Sequence, residues 1–110
     1  MGVKIPAFVV FNPFRDRTPE KVAENFMQQL PTAHCMELVS PMRGGYAEHI
    51  CSKEQQFVSK DFRLTNRKDA GNSVELSFEV NRVNSPASIS SLTMQQVDRA
   101  WKGVDYQPVY

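Results

Sequence analysis

The sequence predicts an α+β domain, with an N-terminal helix or helices packed on a curved antiparallel sheet of three to four strands. Two observations carry this. Residues 18–56 hold helical periodicity with start and stop signals, and residues 57–110 read as short strands joined by polar turns. Helices followed by a strand meander make the order of an α+β layer, not of alternating βαβ units. A curved sheet wrapped on helices can enclose a pocket, so function is sought there.

Asn12-Pro13-Phe14-Arg15-Asp16-Arg17 is a turn-forming lead-in. Thr18-Pro19-Glu20 then opens a helix, with Thr18 as N-cap, Pro19 at the first helical position and Glu20 against the positive dipole end. Val22, Ala23, Phe26, Met27 and Leu30 form one apolar stripe, and Pro31 stops the helix. A short helical turn is expected over 32–39, with Cys35, Met36 and Leu38 as apolar contacts. Ser40-Pro41 and Arg43-Gly44-Gly45 should break the chain after it. Residues 46–56 predict a further helix with Tyr46, Ile50, Ala47 and Cys51 inward and a polar end, Lys53-Glu54-Gln55-Gln56.

The first strand is expected over 57–67, where Phe62 and Leu64 alternate with Asp61, Arg63 and Thr65, before a hairpin loop at 67–72. The second, 73–83, alternates most cleanly: Val74, Leu76, Phe78 and Val80 against Glu75, Ser77, Glu79 and Asn81. Asn84-Ser85-Pro86-Ala87 turns the chain. The third strand, 88–97, has Ile89 and Leu92 out of phase, which predicts a bulge or an edge position. Asp98-Arg99-Ala100 turns into a last strand, 101–110, with Val104, Tyr106, Pro108 and Tyr110 on one face and Trp101 as a buried anchor.

With 110 residues, one domain is expected: an arm over 1–17 and a single α+β domain over 18–110. Hydrophobic residues make up 41% and charged residues 23%, an ordinary globule. The net charge of +1, from 13 Lys and Arg against 12 Asp and Glu, gives no field to attract nucleic acid. Cys35 and Cys51 stand 16 residues apart without a zinc-ligand spacing, so neither metal nor cofactor is expected. Reduced, partly buried thiols are the first expectation. A disulfide is the alternative, favoured if the protein is exported. The apolar run Ile5–Phe11 after Lys4 is far shorter than a spanning helix and reads as an extended arm or edge strand, with a membrane tether as the alternative.

The helix Thr18-Pro19-Glu20-Lys21-Val22-Ala23-Glu24-Asn25-Phe26, the strand pair at 61–83 and the stretch Asp98-Arg99-Ala100-Trp101-Lys102-Gly103-Val104 together resemble the cystatin-like α+β cone. The resemblance is to the nuclear-transport-factor-2-like superfamily, which includes ketosteroid-isomerase-like proteins. A single cystatin-type helix on a sheet is the alternative layout. The resemblance implies that an enzyme on this scaffold would carry an acid–base Asp and hydroxyl or acid donors inside the cone. Glu75, Glu79, Asp61 and Asp105 are all out of phase with the buried faces, so no catalytic residue is assigned.

A non-catalytic module that binds a small apolar ligand or a protein is therefore the expectation. A small cofactor-independent isomerase or dehydratase and a membrane-tethered accessory domain are the alternatives. If the cone is hollow, Tyr46, His49, Phe78, Trp101 and Tyr106 are the candidate ligand-binding residues. A homodimer through the sheet's wet face or its edge is expected, because a small open sheet leaves both uncovered. A cytoplasmic location is slightly favoured, with an exported or membrane-anchored one as the alternative.

Overall fold

A computed structural model describes residues 18–110. The arm at 1–17, with its apolar run and turn-forming lead-in, lies outside the described residues. Three helices come first: α1 (Pro19–Gln29), α2 (Cys35–Arg43) and α3 (Ala47–Gln56), with a 3-10 turn, Gly44–Tyr46, between the last two. Four strands follow, β1 (Ser59–Ala70), β2 (Ser73–Arg82), β3 (Ser85–Val97) and β4 (Ala100–Gln107), paired antiparallel in chain order. Helices lie on one face of the sheet, and the single-helix layout does not hold.

The Thr18 hydroxyl accepts from the Lys21 amide at 3.2 Å, and Pro19 sits inside the first turn, so α1 starts where its capping chemistry requires. Ala23, Phe26, Met27 and Leu30 are buried. The expected break at Ser40-Pro41 does not occur. Pro41 lies inside α2, close enough to its end that one missing amide bond is tolerated. The helix stops at Gly44, whose φ of 56° suits glycine and whose N–H donates to the Ser40 carbonyl. The inward residues of α2 are Cys35 and Val39, while Met36 is exposed. In α3 the inward face is Ala47, Ile50, Cys51 and Glu54, spaced as one helical stripe. Tyr46 precedes that helix and is 66% exposed, against the expectation that it points inward.

Cys35 and Cys51 form a disulfide, with Cα atoms 5.8 Å apart, that ties α2 to α3. The expectation of free thiols fails because both cysteines fall on the facing sides of two adjacent short helices.

The β1–β2 hairpin is tighter than expected. Its loop is only Gly71-Asn72, with Gly71 at φ 66°. Val74, Leu76, Phe78 and Val80 are buried as their alternation predicts, and the same phase carries on to a buried Arg82. β3 is an interior strand, not an edge, and its irregular sequence has a simple cause. Ser90 takes an inward position beside Leu92 and Met94, while Ile89 points outward and is 49% exposed. The β3–β4 loop is Asp98-Arg99, both at positive φ, a two-residue turn whose twist fits the sheet. A register shift between Thr93 and Met94 leaves Val104 as the extra residue of β4, which is why Gly103 and Tyr106 both reach the helical side. Trp101 is half-buried against the core edge, less enclosed than the sequence predicts. The opposite face of the sheet is polar. There Arg63 donates to Glu79 at 2.8 Å, and Asn81 donates to Asp61 at 2.6 Å.

Candidate functional site

The inward phases of α3, β2 and β4 converge on one ionic cluster. Arg82 at the end of β2 donates through its two terminal nitrogens to the two oxygens of Glu54 on α3, at 2.9 and 3.2 Å. The Tyr106 hydroxyl donates to Glu54 Oε2 at 2.7 Å, and the Tyr110 hydroxyl to the same oxygen at 2.6 Å. Arg82 also donates to the Phe57 carbonyl at 3.2 Å. Glu54, Arg82 and Tyr106 are buried, so the charge pair survives only because hydrogen bonds replace its lost hydration.

The electrostatics follow. Burial opposes the Arg82 charge, but the Glu54 hydrogen bonds and charge more than offset it and hold the guanidinium above its ordinary range. Burial first, and then the Glu54 carboxylate, push the Tyr106 phenol far above its usual value. Burial also raises Tyr110, followed by its neighbours Tyr106 and Glu54. Both phenols are thus fixed as donors. The cluster has the parts of an acid–base site, a carboxylate and two phenols, but its carboxylate is enclosed and each oxygen is engaged.

A different feature opens to solvent. Val22 and Phe26 of α1, Leu38, Pro41 and Met42 of α2, and Gly103 of β4 line a largely apolar groove of about 240 Å³. Gly103 allows this approach, since a Cβ there would lie 2.5 Å from the Met42 methyl. A second, smaller recess of about 130 Å³ lies between α1 and β1, where Phe62, Leu64 and Phe78 meet Glu20 and Glu24. Arg67 of β1 pairs with Glu20 and with Asp69 nearby, which fixes β1 to the start of α1.

The five sequence-predicted site residues are spread over these places. Tyr46 and His49 are exposed around the start of α3. Phe78 is buried edge-on to Phe62, with ring centroids 5.7 Å apart. Trp101 packs at the core edge, and Tyr106 belongs to the Glu54 cluster, edge-on to Phe26 at 5.3 Å. Of the pockets formed by the described residues, the recess between α1 and β1 holds Phe78 and the groove between α1, α2 and β4 holds none of the five. Sequence reasoning missed Glu54 and Arg82, although both carried a signal. Arg82 continues the two-residue period of Val74 to Val80, and Glu54 stands four residues after Ile50 and three after Cys51. Among the described residues no three His, Cys, Asp or Glu side chains converge as metal ligands.

No protein-family model and no curated protein matches the sequence. Solved structures do match its shape. A protein described as a nuclear-transport-factor-2-like transpeptidase from Campylobacter jejuni superposes with a TM-score of 0.60 at 16% identity, over 79% of this chain and 97% of that one. A designed protein with a curved β-sheet gives 0.58 at 14% identity, over 81% and 96%. A designed variant of the nuclear-transport-factor-2 fold gives 0.62 at 11% identity, over 80% and 93%. At these identities the likeness concerns architecture: the chain has the nuclear-transport-factor-2-like cone fold, as its element order and strand pattern predict.

Proposed function

We propose that the chain is a non-catalytic module that binds a small apolar ligand, or an apolar side chain of a protein, in the groove between α1, α2 and β4. One contrast carries the reading. The buried carboxylate Glu54 has both oxygens engaged by Arg82, Tyr106 and Tyr110, whereas the groove is open and largely apolar, with Asn25, Glu37 and Lys102 completing its lining. A general base must come within hydrogen-bond reach of its substrate, and an enclosed, fully bonded carboxylate does not meet that need. An open apolar groove with few polar groups suits uptake of an apolar group.

The test is a two-dimensional amide NMR titration with indole and hexanol as probes. Saturable shifts at Val22, Leu38, Met42 and Gly103 are expected, with dissociation constants on the order of 1 mM. Shifts absent from these residues at saturating probe would sink the groove reading. Shifts centred on Glu54 and Tyr106 would favour the alternative, a small cofactor-independent isomerase.

We also propose a two-fold homodimer through the helix-free face of the sheet or its edge strands β1 and β4. Ile89 and Val97 are exposed among polar neighbours, and among the described residues each edge strand is paired on one side only. Sedimentation showing only monomer at about 100 μM would remove this proposal. The Cys35–Cys51 bond supports an oxidising compartment over the cytoplasm. Among the described residues no helix is long and apolar enough to cross a membrane.

A further inference from the structure

Residues 108–110 follow β4 without joining its ladder, whose last pair is Gln107 with Ser91. One hydrogen bond, from the Ser88 hydroxyl to the Val109 carbonyl at 2.7 Å, ties this strap to β3. Its Tyr110 ring fills a recess beside the Glu54 cluster. One side is Phe57, stacked at 6.3 Å between centroids and 25° between planes. Another is the Arg82 guanidinium, 4.7 Å from the ring centroid. The hydroxyl reaches Glu54 Oε2 at 2.6 Å and the Ile50 carbonyl at 3.3 Å. Tyr110 remains partly exposed, while the Glu54, Arg82 and Tyr106 side chains behind it are sealed.

We propose that this recess is a phenol-binding site, which Tyr110 occupies as a built-in competitor. Three features define the ligand class. A cation faces the ring, which favours an electron-rich aromatic. An aromatic neighbour accepts a flat partner. A carboxylate oxygen and a backbone carbonyl, both acceptors, sit where the hydroxyl must donate. A phenol meets all three, and a plain hydrocarbon ring forfeits the third. The walls are independent of the strap, because Phe57 and Glu54 come from the end of α3 and Arg82 from β2. Arg82 Nε is buried with no hydrogen-bond partner among the described residues. The site is separate from the groove between α1, α2 and β4 and stands or falls without it.

Tyr110→Ala empties the recess in the full chain. In that variant 4-methylphenol is expected to raise Tm with the logarithm of its concentration, reaching about 5 °C at about 10 mM. Toluene, which lacks the hydroxyl, should bind at least about tenfold more weakly, since it leaves the acceptors unpaired. N-acetyltyrosinamide, run in parallel, distinguishes the source: a response to it assigns the site to tyrosine in peptides, and a response to 4-methylphenol alone assigns it to free phenols. If Y110A does not fold unaided, it is refolded with each compound, and recovery with a phenol but not with toluene is the expected result. No response to either phenol, or an equal response to toluene, overturns the proposal.

Discussion

Replacing Glu54 with Ala is expected to destabilise the protein by about 3–5 kcal/mol in urea unfolding, the usual cost of stranding a buried charge. The variant leaves the Arg82 guanidinium inside the fold with, among the described residues, only the Phe57 carbonyl and the Tyr106 hydroxyl within reach; it deprives the Tyr106 hydroxyl of its acceptor and leaves that of Tyr110 with the Ile50 carbonyl alone. The loss reflects the unpaired partner more than the worth of the pair. The double variant Glu54→Leu with Arg82→Met should therefore recover the part due to the stranded guanidinium, while the buried Tyr106 hydroxyl, left without Glu54 and Arg82, keeps its share of the loss. A loss under about 1 kcal/mol for Glu54→Ala would show that water reaches the cluster.

The same cluster sets a pH limit. Tyr106 and Tyr110 titrate above the ordinary phenol value of 10.0 because burial and the Glu54 charge disfavour their anions. A group whose pKa is raised by folding contributes stability that is complete below its unfolded value and is lost as pH climbs beyond it. Unfolding free energy should thus be insensitive to these phenols below pH 10.0 and fall above it.

How much of this was legible in the sequence follows from where each signal is stored. The cap at Thr18-Pro19 and the alternation of Val74 to Val80 are local, and both elements form as read. The helix through Pro41 was not legible, because tertiary burial of Val39 and the bond at Cys35 hold α2 past a local breaker. β3 read as bulged or as an edge because an inward Ser90 interrupts its apolar period; its neighbours show that the position is interior, with a register shift between its Ser85 and Ser88. Glu54 and Arg82 were passed over because charged side chains are rarely buried unless paired. Each supplies the other's reason for being inside, and they are 28 residues apart in sequence. The groove was equally hidden, since it is assembled from α1, α2 and β4, and the bulge at Val104 decides which residues of β4 face it.

Cutting the Cys35–Cys51 bridge, by Cys35→Ser with Cys51→Ser, is expected to lower stability by roughly 3 kcal/mol, the loop-closure value for a span of about 15 residues. The segment it closes has weak local structure. Gly44 and Gly45 separate its two helices, α2 and α3 are each too short to be stable helices alone, and neither has a side-chain N-cap bond. Both cysteines are buried at 1% and 5% exposure, so the serines would also place hydroxyls in an apolar setting, and the measured loss should meet or exceed the entropic figure. Reduction of the wild-type protein separates the two effects, because it opens the loop without changing the side-chain polarity as much. The groove should respond as well: Leu38, Pro41 and Met42 lie on α2, so loosening α2 from α3 should weaken indole binding even where the sheet stays folded. A free-thiol count on unreduced, denatured protein from its native compartment is the direct check. Two reactive thiols there would remove the bridge from the working protein and, with it, the case for an oxidising compartment.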